Sequence, residues 1–146
     1  MDQPPSVDAA PPVRVVVLAD DLIWSTRLLD HVRAAGFTAL PARDGDSFRD
    51  LLSAAGGAIV DLTSRTYDGL AAIAAARDAG VAVLAVGPHD DHVLRRNALA
   101  VGADRVLAYR KLFEDGPASI ARWVAAASSG SPDHVGAPEP AESGGR

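Results

Sequence analysis

The chain has 146 residues, 48% of them hydrophobic, and a formal net charge of −5. That length supports one ordinary core and is too short for two full domains, and the absence of cysteine excludes disulfide scaffolds, thiolate zinc sites and cysteine nucleophiles. An acidic balance with its basic residues spread out lacks the footprint of a nucleic-acid binder. Neither a signal-peptide pattern nor a membrane-length apolar run occurs, which excludes membrane insertion and points to the cytoplasm.

Residues 1–12 carry four prolines and no periodicity, so an unstructured leading segment is expected there. The run Val13 to Ala19 reads as a strand, and the helix after it places Ile23, Leu28, Leu29, Val32 and Ala35 on one stripe before Gly36 ends it. Thr38 to Pro41 is a weaker strand, followed by a helix over Asp46 to Ala54 that buries Phe48, Leu51 and Leu52. Ala58 to Leu62 forms a third strand, Gly69 to Ala79 a third helix closed by Gly80, and Val81 to Val86 a fourth strand. Asp90 or Asp91 caps a fourth helix with Leu94, Ala98 and Val101 in line. Arg105 to Ala108 is the fifth strand. Pro117 suits the first turn of a last helix, on which Ile120, Val124 and Ala127 face inward. Residues 128–146 are rich in Ser, Gly, Pro, Asp and Glu and read as a disordered tail. Five βα units in a row predict an α/β fold, a (βα)5 flavodoxin-like three-layer sandwich around a five-stranded parallel sheet, spanning residues 13–127.

Acidic residues punctuate the strand ends. Asp20 and Asp21 close the first apolar run, Asp61 closes the third, and Asp68-Gly69 follows Asp61. In an open α/β sheet the chemistry lies beyond the carboxyl ends of the strands, so three carboxylates are expected to converge at one sheet edge. Clustered carboxylates repel unless a cation joins them. An oxygen-only set of donors favours Mg2+ over zinc.

This order of features resembles the receiver domain of bacterial two-component response regulators, over about Val13 to Val124. Gly102-Ala103-Asp104 before the fifth strand and His89-Asp90-Asp91 at the start of the fourth helix add to the likeness. The resemblance implies that Asp61 is a phosphoacceptor and that Asp20, Asp21, Asp61 and the backbone carbonyl of Thr63 hold Mg2+. It also marks two departures. A receiver carries Ser or Thr at the end of strand four and Lys at the end of strand five; here those positions are Gly87, with no hydroxyl to move, and Tyr109, with no positive charge. Lys111 would return to the face of Tyr109 if the strand stays extended, and His89 follows Gly87-Pro88, so these two are the candidate phosphate contacts. The segments Gly87 to Asp90 and Ala108 to Phe113 are similar to those of small, stand-alone receiver-like proteins.

The resulting expectation is an atypical, stand-alone receiver-like protein of phosphorelay signalling that works by protein contact, with phosphorylation at Asp61 weak or absent and no enzymatic activity beyond that self-modification. Its partner would be a histidine kinase or a downstream signalling protein, or a second copy in a homodimer. The face formed by the fourth helix, fifth strand and fifth helix, with Arg95, Arg96, Tyr109 and Trp123, is the expected contact surface, although Trp123 lies beside the inward stripe. One alternative is a true Mg2+-dependent phosphoacceptor. Another is a flavodoxin-like small-molecule-binding domain, against which stands the turn Ala19-Asp20-Asp21-Leu22, with no glycine-rich phosphate cradle and the wrong charge.

Overall fold

The computed structural model describes residues 12–136, with side chains through residue 128; the expected leading segment and the end of the expected tail lie outside the described residues. Five strands, β1 (Arg14–Leu18), β2 (Thr38–Ala42), β3 (Gly57–Asp61), β4 (Ala82–Gly87) and β5 (Arg105–Ala108), alternate with five helices: α1 (Leu22–Ala34), α2 (Gly45–Leu52), α3 (Gly69–Asp78), α4 (His92–Val101) and α5 (Tyr109–Gly136). The strands form one parallel sheet in the order β2-β1-β3-β4-β5.

Period-two alternation divides each buried strand between two cores. Val16, Leu18, Ala58, Val60, Val83 and Ala85 pack with Phe48, Ile73 and Ala98 of α2, α3 and α4. Val15, Val17, Ile59, Leu84 and Val86 face the other way, against Leu28, Val32, Ile120 and Trp123 of α1 and α5. Burial on both faces explains why the central strands are near-continuous apolar runs. The three-layer α/β sandwich is the expected fold.

Four helices start on the same device. Asp21, Asp44, Asp68 and Asp91 each accept a hydrogen bond from the backbone N–H three residues on, at 2.9, 2.8, 3.1 and 3.0 Å, which satisfies a donor that a helix start leaves open. At the far end of α4, Gly102 takes φ +126°, and a Cβ there would stand 2.3 Å from Arg77 Cγ. Only glycine fits that stop.

Three sequence expectations are corrected. Ile23 is 66% exposed because the first turn of α1 projects past the sheet edge, and Val101 likewise lies outside the core. Trp123, offered above as a contact residue, is 1% exposed; its indole covers Gly57, where an added Cβ would come within 2.8 Å of the ring. The segment α5 is two helices joined across a kink at Asp115 (φ −150°, ψ 37°): a short one from Tyr109, additional to the expected elements, and the expected last helix, which starts just past the kink with Pro117 in its first turn and runs to Gly136. At that interruption α5 crosses α1 so closely that a Cβ on Gly116 would meet the His31 ring at 2.7 Å.

Candidate functional site

In the sheet order, β1 and β3 are neighbours whose following connections leave in opposite directions, which opens a crevice at their carboxyl ends. Asp61, the last residue of central β3, sits there at 2% exposure. Asp20 and Asp21 lie just beyond β1. The charges of Asp61 and Asp21 both act on the Tyr109 phenol, and those of Asp61 and Asp20 both act on the Tyr67 phenol. The three acids thus share one edge of the sheet.

Each acid is answered by hydroxyl or amide donors. Oδ1 of Asp61 accepts from the Thr63 backbone N–H at 3.1 Å and the Thr63 hydroxyl at 2.9 Å. The Tyr109 hydroxyl donates to the same oxygen and stands 2.5 Å from Thr63 Oγ1. Oδ2 of Asp20 accepts from the Ser64 hydroxyl at 2.7 Å and the Thr66 hydroxyl at 2.6 Å. These bonds to Thr66 and Ser64 hold the Asp20 carboxyl below its ordinary range, despite some burial. Asp21 spends Oδ1 on the Trp24 N–H at the start of α1.

Two tyrosines frame the acids. The Tyr67 hydroxyl reaches the backbone carbonyl of Asp61 at 2.6 Å and that of Leu18 at 3.1 Å, so it joins the ends of β3 and β1. Tyr109 begins α5 immediately after β5 and packs its ring on Trp24, with centroids 4.4 Å apart and planes tilted by 33°. Burial pushes both phenols up. For Tyr109 the bond to Asp61 adds to the rise, and for Tyr67 the Asp61 charge does so. Both effects favour the protonated phenol, which can donate.

Mg2+ takes oxygen donors at about 2.0–2.1 Å in near-octahedral array. Among the described residues, no three His, Asp or Glu side chains gather closely enough to hold a metal ion. Each of the three acids gives one oxygen to internal donors, Oδ1 of Asp61 and of Asp21 and Oδ2 of Asp20, and among the described residues its second oxygen accepts no hydrogen bond.

The other candidates fall into place as follows. Gly87 ends β4 at the same edge, and a Cβ there would meet Leu94 and Leu62 at 3.6 Å or more. The position is not crowded, so its missing hydroxyl is a matter of chemistry and not of space. Lys111 lies in the first turn of α5, not in an extended strand. It is exposed and faces Asp115 at 3.7 Å, which does not bring it back to the face of Tyr109. His89 is exposed in the β4–α4 connection, and Arg95 and Arg96 are exposed on α4, a helix whose only fully buried residue is Ala98. Beside Tyr109, Ile23, Trp24, Arg27, Arg110 and Phe113 border an open groove of about 410 Å³, with the Arg27 guanidinium 5.4 Å from the centre of the Phe113 ring.

Ser64, Thr66 and Tyr67 belong to the site and were not singled out from the sequence. Their signal is the hydroxyl-rich stretch Thr63-Ser64-Arg65-Thr66-Tyr67 between Asp61 and Asp68.

No family model and no curated protein matches the chain. Solved structures do. A response regulator from Burkholderia pseudomallei, crystallised with a phosphorylated aspartic acid, a calcium ion and citrate, is similar at TM-score 0.66 and 21% identity over 84% of this chain and 72% of that one. A putative response regulator from Chloroflexus aurantiacus is similar at TM-score 0.70 and 17% identity over 79% of this chain and 99% of that one. A chain from the co-crystal of the Saccharomyces cerevisiae histidine phosphotransfer protein Ypd1 with the receiver domain of its downstream response regulator Ssk1 is similar at TM-score 0.68 and 18% identity. That match covers 80% of this chain and 91% of that one. The protein therefore has the fold of response-regulator receiver domains.

Proposed function

We propose that this protein is an atypical receiver-like module of phosphorelay signalling that acts by protein–protein contact, with phosphorylation at Asp61 weak or absent. The observation that carries this reading is the state of Asp61: it occupies the end of the central strand in a receiver fold, yet one of its oxygens is engaged by Thr63 and Tyr109. Gly87 and Tyr109 stand where the resemblance calls for a hydroxyl and a cation, and among the described residues the side chains that bond the acid, Thr63 and Tyr109, are neutral. Exposed Arg95 and Arg96, and the apolar groove beside Tyr109, supply surface for a partner. The Ypd1–Ssk1 co-crystal, a similar structure, supports a phosphotransfer or kinase protein as the partner class.

Intact-mass measurement after incubation with Mg2+ and millimolar acetyl phosphate tests the reading. The expected result is little or no phosphoryl gain, together with the same partner recovered from native cells with and without donor. Stoichiometric labelling at Asp61 would overturn it.

A second reading, a divalent-cation-dependent acceptor, is favoured by the phosphorylated aspartate and calcium ion of the similar Burkholderia structure. It would use the carboxylate oxygens of Asp20, Asp21 and Asp61 that accept no internal hydrogen bond. Under that reading Mg2+ raises the melting temperature of the wild type but not that of Asp61→Asn or Asp21→Ala, and equal shifts in all three would dismiss it.

A further inference from the structure

We infer that the open groove between α1 and the start of α5 is a binding site for a small aromatic anion, a ring system carrying a carboxylate. This goes beyond the proposed function and does not depend on it.

Ile23, Trp24, Arg27, Tyr109, Arg110 and Phe113 enclose about 410 Å³, within the range of about 300–1,000 Å³ of small-molecule sites. Three of these six side chains are aromatic. Trp24 and Tyr109 lie on each other, with centroids 4.4 Å apart, and both are half-buried, so they form a firm wall of ring surface. Ile23 and Phe113 are 66% and 65% exposed, although Leu28 and Leu112 on the inner sides of the same two helices are fully buried. Large apolar side chains left in water around a concavity gain when a ligand covers them. An aromatic ligand suits this wall, because rings add offset and edge-to-face contacts to the plain burial of area.

The charge around the groove is one-sided. Arg27 and Arg110 bring two guanidinium groups, and no acidic residue borders it. Among the described residues Arg27 pairs with no carboxylate; its guanidinium rests 5.4 Å from the centre of the Phe113 ring, which leaves its positive charge unneutralised. Arg110 approaches Glu114 only to 3.8 Å, with side chains 74% and 63% exposed, a contact of small worth. A guanidinium offers a planar fork of donors that matches a carboxylate. An anion is therefore favoured at this spot in a chain whose net charge is −5. Its orientation follows from the neighbouring crevice: the Tyr109 hydroxyl is bonded to Asp61, so the ligand's rings lie toward Trp24 and Tyr109 and its carboxylate toward the arginines.

The test follows the two tryptophan indole N–H signals of the full chain by NMR as 2-naphthoate is added, with 2-naphthamide as the uncharged control. Trp24 borders the groove, whereas Trp123 is 1% exposed and lies against Gly57 at the start of β3, so it is an internal reference. Naphthoate should shift the Trp24 signal and leave that of Trp123 in place, with a Kd of about 1 mM or tighter, the affinity that ordinary ligand efficiency gives a compound of this size. Naphthamide should bind about fivefold more weakly, and Arg27→Gln should weaken naphthoate about three- to fivefold, the upper range for one exposed ion pair. Combining Arg27→Gln with Arg110→Gln should erase the advantage of naphthoate over naphthamide, and Phe113→Ser should weaken both ligands. All three side chains are exposed, so these variants keep the fold. No Trp24 shift at about ten times that concentration, or a shift of both indoles together, overturns the site. Equal binding of naphthoate and naphthamide to the wild type overturns the preference for an anion and the proposal with it. An acidic amphipathic peptide without aromatic residues is titrated in parallel, and sedimentation reports the oligomeric state. If the peptide moves Trp24 and naphthoate does not, or if a dimer forms that Phe113→Ser dissociates, the groove belongs to a protein partner or to a second copy, and the small-molecule site is overturned.

Discussion

Replacing Tyr67 by Phe tests whether one hydroxyl fastens the crevice to the core. Its oxygen lies 2.6 Å from the Asp61 carbonyl and 3.1 Å from the Leu18 carbonyl, but it has one proton, so the two contacts amount to a single shared bond weighted toward Asp61. A neutral hydrogen bond contributes about 0.5–1.5 kcal/mol net, and leaving a half-buried carbonyl short of a donor adds to the loss. For Tyr67→Phe a destabilisation of about 1–2 kcal/mol is expected, which lowers the melting temperature by about 3–10 °C in a domain of this size. Urea and thermal melts followed by circular dichroism measure it directly. Because burial and the Asp61 charge keep the Tyr67 phenol protonated, the difference should be the same at about pH 6 and about pH 9. A variant as stable as the wild type within about 0.5 kcal/mol, the range of ordinary surface changes, would show that the tyrosine packs at the edge without fastening it.

Two further outcomes are expected. Asp21→Ala removes the N-cap of α1, whose bond to the Trp24 N–H measures 2.9 Å, and should cost about 1 kcal/mol in a urea melt, whereas Asp21→Asn, which can still cap, should recover most of it; equal losses in the two would assign the effect to charge instead. His31 titrates below its usual value because burial against α5 and then the Arg27 charge disfavour its cation, more than Asp30 favours it. The unfolded chain therefore binds the proton more readily than the folded one, and this contribution to stability is complete above about pH 6.5 and declines as pH falls through that value toward the depressed one. Melts at about pH 7.5 and about pH 5.5 should show a drop in the wild type that His31→Asn lessens; parallel drops would place the pH response elsewhere.

Much of the architecture could be read from local pattern because it is enforced locally. The strands β1, β3 and β4 are apolar on both sides, and the capping aspartates sit one step before their helices, so each element announces itself within a few residues. The start of α5 did not. The short helix from Tyr109 is set by tertiary contacts, with Leu112 fully buried and Tyr109 lying on Trp24, whereas Gly116-Pro117 does open the helix that follows the kink at Asp115. Ile23 misled for a related reason: helical spacing shows which face a residue is on, but not where the sheet beneath that face runs out. At the site, Asp20, Asp21 and Asp61 were legible as strand-end acids. What answers them was not, since the bonds from Ser64 and Thr66 to Asp20 span 44 and 46 residues and exist only once β1 and β3 lie side by side.

The strand order has a consequence for self-association. The sheet ends on β2 and β5. Strand β2 carries Pro41, which pairs with Val17 on its inner side and has no N–H to offer outward, and β5 is only four residues long. Both margins are thus poor templates for an added strand, a protection against fibril growth and domain exchange. Two copies of this chain would have to meet through their helical faces, leaving the ladder of each sheet closed.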